Sequence, residues 1–188
     1  INTHEWGIYL GPTLTFLDNS LRLNITSRLD KNKNFNYLFS PAASIVYQPS
    51  KNDYLRVSFS SAIRNPTLTD QYLNYNVGRA ILRGNIGGVE DLITVSSFVD
   101  FLNSGVTDIL QYFDVAPIRP EQVKTIEAGY RTTLFNAVFV DLGYYFRRYK
   151  DFIGYQIGVT AQISPVFPTP QNVQVYRISS NANDVVTT

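Results

Sequence analysis

Between Trp6 and Phe16 the large apolar side chains Trp6, Ile8, Leu10, Leu14 and Phe16 take even positions, and Gly7, Gly11, Thr13 and Thr15 take odd ones. A period of two puts one set on each face of a strand. The next segment sets Leu21, Leu23, Ile25 and Leu29 against Arg22, Asn24, Thr26, Arg28 and Asp30. Phe39, Ala43, Ile45 and Tyr47 then oppose Ser40, Ala42, Ser44 and Gln48, and Leu55, Val57, Phe59 and Ile63 oppose Arg56, Ser58, Ser60 and Arg64. Downstream, Ile126, Ala128, Tyr130 and Leu134 face away from Thr125, Glu127, Gly129, Arg131 and Thr133. Val138, Val140, Leu142, Tyr144 and Phe146 face away from Asp141, Gly143, Tyr145 and Arg147. The pattern predicts an antiparallel meander.

Connections between these strands alternate in length. Leu17 to Ser20, Pro49 to Asp53 and Leu134 to Ala137 are short, whereas Lys31 to Asn36, Asn65 to Ile118 and Lys150 to Gln171 are longer. Short turns therefore gather at one end of the sheet and long loops at the other, which is the layout of an outer-membrane barrel. The segment 65–118 is too long to be structureless in a compact domain, and within it Leu92 to Leu102 and Val106 to Phe113 have spacings that fit short helices.

The apolar face has two solutions. In a soluble sandwich it is the core; in a membrane barrel it meets lipid and the polar face lines the lumen. Arg22, Arg28, Arg56, Arg64, Glu127, Arg131, Asp141 and Arg147 on the polar face suit a wet interior with opposed charges. Trp6, Phe16, Tyr47, Tyr54, Tyr144 and Phe146 are expected near strand ends, as interfacial girdles require. Together with the loop asymmetry these favour the membrane. Apolar runs of about 18 residues are absent, which rules out a membrane helix but not membrane strands of about 9 to 11 residues. The chain opens on Ile1 and closes in a polar run, so an internal or processed piece of a longer protein is expected.

Composition narrows the chemistry. A net charge of +1 offers no basic stripe for nucleic acid. With no cysteine, a disulfide framework and thiolate metal sites are out. His4 is the only histidine, so neither a Cys nor a second His is available to complete a zinc site, and a Ser-His-acid triad would need His4 beside a G-x-S-x-G nucleophile elbow, which does not occur; no metal, cofactor or enzymatic activity is expected. Gly84 to Gly88 lacks the phosphate-loop lysine and is expected to be a flexible loop. Glu121 and Glu127 form a conceivable carboxylate pair, but Glu127 shares its face with Arg131 and Arg147, and a cross-strand ion pair is the simpler reading. Ligand contacts are expected from the long loop, where Tyr72, Asn74, Tyr75, Arg79, Gln111 and Tyr112 offer stacking and hydrogen bonds; packing of the loop by the same aromatics is the competing reading.

Two blocks carry a family resemblance. Phe39-Ser40-Pro41 through Val46-Tyr47, Leu55-Arg56-Val57-Ser58-Phe59 and Ile63-Arg64-Asn65-Pro66-Thr67 resemble the barrel of TonB-dependent receptors. Arg119-Pro120-Glu121, Glu127-Ala128-Gly129-Tyr130-Arg131 and Tyr144-Tyr145 leading to Tyr149-Lys150-Asp151-Phe152-Ile153 are similar to the same family. Tyr176-Arg177 with Asn181-Ala182-Asn183 is a third echo. The blocks keep the family's order over nearly the whole chain and look most like its SusC-like branch.

The resemblance implies an all-β fold: part of an antiparallel, up-and-down transmembrane β-barrel of about 22 strands, with short periplasmic turns and long external loops. It implies that residues 1–188 belong to one such barrel domain, with 65–118 an extracellular loop and the plug and TonB box elsewhere. It further implies the Gram-negative outer membrane, TonB-energised uptake of an oligosaccharide, an oligopeptide or a siderophore, and no catalysis. The implied partners are the TonB complex, reached through the plug, a SusD-like surface lipoprotein and outer-membrane lipid. Arg64, Asn65, Pro66, Glu121, Glu127, Gly129, Tyr130 and Asp151 are carried over as structural motif residues rather than ligand contacts. One departure stands out: the family's last strand ends on an aromatic, whereas this chain ends Val185-Val186-Thr187-Thr188, so about six or seven strands of an incomplete barrel are expected. A passive pore or adhesin and a soluble β-sandwich binding module are the alternatives.

Overall fold

The computed structural model describes residues 3–135, 137–164, 169–181 and 185–188. In chain order the elements are β1 (Glu5–Leu10), β2 (Thr13–Phe16), β3 (Leu21–Asn32), β4 (Leu38–Tyr47), β5 (Tyr54–Arg64), α1 (Leu68–Tyr72), β6 (Asn74–Asn76), β7 (Ile81–Arg83) and β8 (Val89–Ile93). There follow α2 (Val95–Ser104), β9 (Tyr112–Val115), β10 (Glu121–Leu134), β11 (Val138–Lys150), β12 (Ile153–Ile163), β13 (Pro170–Asn181) and β14 (Val185–Thr187). They form two compact units: a wall (1–64, 121–150 and 183–188) and a loop unit (65–120 and 151–182).

The wall is an antiparallel sheet in the order β1-β3-β4-β5-β10-β11-β14, with β2 also on β3. β1 and β2 lie against β3 in one register, Leu10 opposite Ser27 and Thr13 opposite Asn24, broken only at Gly11 and Pro12, whose ring nitrogen has no proton to give the ladder. Register places the apolar positions in rows across the strands. One row runs Leu14, Leu23, Ile45, Val57, Ala128, Tyr144; a second runs Phe16, Leu21, Tyr47, Leu55, Tyr130, Leu142. The opposite face carries Thr13, Asn24, Ser44, Ser58, Glu127 and Tyr145 in one row. On these rows Val57 and Leu142 are 52% and 61% exposed within this chain. At 10 to 14 residues, β3, β4, β5, β10 and β11 meet the length a tilted membrane strand needs.

The same registers sort the connections. Phe16 opposite Leu21, Tyr47 opposite Leu55 and Leu134 opposite Val138 bring the three short turns to one end. Arg64 opposite Glu121 and Tyr149 opposite Val185 bring both long insertions to the other. At the turn end, Asp53 accepts hydrogen bonds from the hydroxyls of Ser50 (2.6 Å), Tyr130 (2.8 Å) and Thr132 (2.8 Å). These donors, Ser50 foremost, hold its carboxyl below the ordinary carboxylate range. Leu17, Asp18 and Asn19 turn the chain through three successive left-handed conformations.

Both insertions contribute to one sheet in the loop unit, ordered β6-β7-β13-β12-β8-β9, in which β7 and β13 run parallel. The second insertion's hairpin, β12-β13, is thus held between β7 and β8 of the first. Its core is shared in the same way: Val89, Leu92 and Val115 pack with Ile178, and Ile93, Phe98 and Phe101 pack with Val159. None of the described helices is long and apolar enough to cross a membrane.

Several expectations are corrected. The segment expected to be an irregular connection from Lys150 to Gln171 contains β12, where Ile153, Tyr155, Ile157, Val159, Ala161 and Ile163 alternate with Gly154, Gln156, Gly158, Thr160 and Gln162. The helix expected at Leu92 to Leu102 starts later, because Leu92 and Ile93 are drawn into β8 and Thr94 caps the helix with its hydroxyl, 3.3 Å from the Ser97 amide. Gly105, at φ 71°, ends it in a left-handed C-cap. A helix over Val106 to Phe113 is reduced to a 3-10 turn at Thr107–Ile109, since pairing with β8 makes Tyr112–Val115 a strand. Tyr144 and Phe146 stand opposite Ala128 and Ile126 in mid-strand, not in a girdle, because β11 continues to Lys150; Tyr54 is opposite Arg131 on the polar face. Trp6, near the start of β1, packs edge-on against Tyr37, and Phe16 and Tyr47 are the last residues of β2 and β4. Asn136 in the expected Leu134 to Ala137 turn, and Ala182 and Asn183 of the third motif, lie outside the described residues.

Candidate functional site

On the polar face of the wall, charge is matched across strands. Asp141 accepts from Arg131, its Cα partner, at 2.7 Å, and Glu127 sits 3.7 Å from Arg56 and 3.8 Å from Arg147. Glu127 therefore pairs with Arg147 as expected, but Arg131 is taken by Asp141 and its place beside Glu127 goes to Arg56. Gly129 borders a hollow of about 260 Å³ in the same region, lined also by Tyr54, Arg56, Tyr130, Arg131 and Asp141. A wall of alternating guanidinium and carboxylate groups can hold a polar filling by hydrogen bonds.

The motif residues gather at the necks of the insertions. Arg64 donates to the buried Glu121 carboxylate at 2.9 Å where β5 ends and β10 begins. Within the loop unit, Asn181 joins the other neck positions: its Oδ1 accepts from the Arg119 amide at 2.8 Å, and its Nδ2 donates to the carbonyls of Arg119 (2.9 Å) and Asp151 (2.7 Å). The Arg119 guanidinium also pairs with the Asp151 carboxylate. Both ends of the second motif block, Arg119 and Asp151, thus meet the third at Asn181. Pro66 is buried and its carbonyl accepts from Gln71 Nε2 at 2.7 Å, beside a capping box in which Thr67 and Asp70 satisfy each other's backbone amides.

Gly84 to Gly88 is a packed junction rather than a flexible loop. Gly84 donates to the Leu73 carbonyl at 2.7 Å, and a Cβ there would come within 2.5 Å of the Tyr72 nitrogen. Asn85 is buried, with its backbone and Nδ2 bound to Asp70, Ile118 and Ala116.

The six residues expected to contact ligand do not converge. Tyr72, Asn74, Tyr75 and Arg79 lie at the β6 edge of the loop-unit sheet, while Gln111 and Tyr112 lie at the opposite, β9 edge. A groove of about 250 Å³ forms elsewhere, between α1 and the sheet. Thr69, Asp70 and Leu73 line it from the helix, Leu82 and Arg83 from β7, Tyr155 from β12, and Arg177 and Ser179 from β13. The Arg177 guanidinium lies 3.4 Å from the centre of the Tyr155 ring, and Ser179 Oγ is 3.5 Å from Asp70 Oδ1. Sequence reasoning missed this site because Tyr155 was assigned to a loop and Arg177 figured only in a motif; the alternation of β12 was the available signal.

Comparison with known proteins agrees with the wall. The profile of the family described as "TonB dependent receptor-like, beta-barrel" matches residues 1–182. No curated protein matches the sequence. Among solved structures, the siderophore receptor PirA from Acinetobacter baumannii is similar at 14% identity and a TM-score of 0.61, over 98% of this chain and 24% of that one. The siderophore receptor PirA from Pseudomonas aeruginosa is similar at 15% identity and a TM-score of 0.63, over 98% of this chain and 29% of that one. The chain thus spans less than a third of the length of either receptor, and at this identity the likeness is one of fold. The matched family consists of transport receptors, not enzymes, of the Gram-negative outer membrane. An antiparallel wall with an exposed apolar face, turns and insertions sorted to opposite ends, and a profile match over residues 1–182 show that the chain belongs to the TonB-dependent receptor β-barrel family.

Proposed function

We propose that this chain is a stretch of barrel wall with two external insertions from a TonB-energised outer-membrane receptor of the SusC-like branch, importing a nutrient too large for porins. The observation that carries the reading is the row of apolar side chains from Leu14 through Val57 to Tyr144, which faces away from an ion-paired polar surface and is more than half exposed at Val57 and Tyr144. Such a face is stable against lipid, and such a polar surface against a filled lumen. An oligosaccharide or oligopeptide is the cargo this reading favours; the two similar siderophore receptors add siderophores as a third class.

The partners that follow are the TonB complex, acting through a plug region beyond this chain, a SusD-like lipoprotein at the external face, and lipid around the wall. Residues 65–118 serve as an extracellular loop in a single barrel domain. Ligand contacts fall to the loop unit, at Tyr72, Asn74, Tyr75 and Arg79 on one edge, Gln111 and Tyr112 on the other, and the groove between them. The test is uptake of labelled oligosaccharide by cells carrying the full-length receptor: deleting its TonB box is expected to abolish accumulation. Undiminished uptake after that deletion would refute energised transport and favour a passive pore.

A further inference from the structure

We infer that the groove between α1 and β7-β13-β12 recognises an acidic sugar, a uronic-acid residue, with Arg177 receiving its carboxylate. The inference rests on the import reading only in taking an oligosaccharide as cargo. Arg177 is half-buried, yet it is absent from the six ion pairs formed among the described residues. Arg119, in the same unit, is by contrast committed to Asp151. The guanidinium carbon lies over the Tyr155 ring at 3.4 Å, a stacking separation that leaves the N–H donors at the guanidinium edge for a planar acceptor. A carboxylate is the acceptor whose two oxygens match that fork.

The remaining lining selects among carboxylates. Leu73 and Leu82 give an apolar surface on which the C–H face of a sugar ring can rest, and Thr69, Ser179 and Asp70 surround it with groups that bond hydroxyls. Asp70 spends Oδ2 on the cap of α1, where it accepts from the Thr67 amide and hydroxyl, while Oδ1 has only the long 3.5 Å approach of Ser179. That oxygen can accept from a ligand hydroxyl, and its charge disfavours a doubly charged phosphate in the same groove. About 250 Å³ lies just below the usual range of small-molecule sites, room for a single ring rather than an extended peptide.

The experiment is equilibrium titration of the purified full-length receptor in detergent with digalacturonate and, separately, with neutral galactobiose. Digalacturonate is expected to bind at least about tenfold more tightly, with a preference that shrinks as salt is raised. R177A is expected to abolish that preference, and R177K, which keeps the charge and loses the fork, to reduce it; retention of heat-resistant migration on gels shows that each variant is folded. Equal binding of the two disaccharides, binding of neither, or an unchanged preference in both Arg177 variants overturns the assignment. So does displacement of digalacturonate by a dipeptide with a free carboxyl terminus but not by its amide, which would make the groove a peptide site. Binding in detergent needs no TonB, so failure here leaves the transport reading standing, and loss of transport with this preference intact overturns transport alone.

Discussion

Arg64 Nη2 stands 2.9 Å from Glu121 Oε2 at the final Cα pair of the β5-β10 ladder, where the chain leaves the wall for its first insertion and returns. The Glu121 side chain is 9% exposed and that of Arg64 58%, so the carboxylate has far more hydration to lose than the guanidinium. Arg64→Ala is expected to destabilise the full-length receptor by about 1 kcal/mol, a half-exposed pair contributing less than a buried one. Urea unfolding in detergent micelles checks this. A coupling energy of zero in a cycle with Glu121→Gln would show that the pair is ornamental.

Val57 and Ser58 are neighbours on β5 with opposite fates. Val57 belongs to an apolar row between Ile45 and Ala128, and Ser58 faces Ser44 and Glu127. Val57→Lys should cost about 2 to 4 kcal/mol if its row lies near the middle of the bilayer, whereas Ser58→Lys, beside Glu127, should cost less than about 0.5 kcal/mol. Folding yield into lipid vesicles separates the two, and equal penalties would contradict the assignment of faces.

A methyl group at Gly84 would meet the backbone of Gln71, Tyr72 and Leu73 at 2.5 to 2.7 Å. Backbone cannot swing aside as a side chain does, so Gly84→Ala is expected to destabilise the loop unit by about 1 to 3 kcal/mol. Protease added to intact cells should then cut within 65–120 while the wall survives; unchanged resistance would mean that the junction yields.

Asp53 supplies a pH dependence with a definite sign. Its folded carboxyl is held below its ordinary value by Ser50, Tyr130 and Thr132. Its contribution is therefore present above the unfolded pKa of about 3.9 and disappears as pH falls through the lower folded value. Comparing the unfolding midpoints of the parent and Asp53→Asn from pH 6 to pH 3, the gap should close toward the acid end. A gap that stays constant rules out the carboxylate as its source.

The wall was legible because every one of its faces is written in period two, and register only had to align rows that Leu23, Ile45 and Val57 already announced. The loop unit was not. Leu92 and Ile93 have helical spacing to Leu102, but the strand partners that capture them are distant in sequence: Val159 pairs with Ile93, and Ile178 packs with Leu92. Local propensity cannot report a partner that far away. Likewise Arg177 and Asp70 line one groove only because β13 pairs with β7, a parallel contact for which the sequence offers no turn signal.

That interleaving has a consequence for how such receptors diversify. Since β13 is the neighbour of β7 and β12 the neighbour of β8, neither insertion owns a complete sheet. Transplanting 65–120 into a sister protein without 151–182 would strip two strands of their mates and remove Tyr176 and Ile178 from one hydrophobic cluster and Val159, Ala161, Ile163 and Val175 from the other. Recombination, natural or engineered, should therefore succeed only when both segments travel together, as a single inherited cassette.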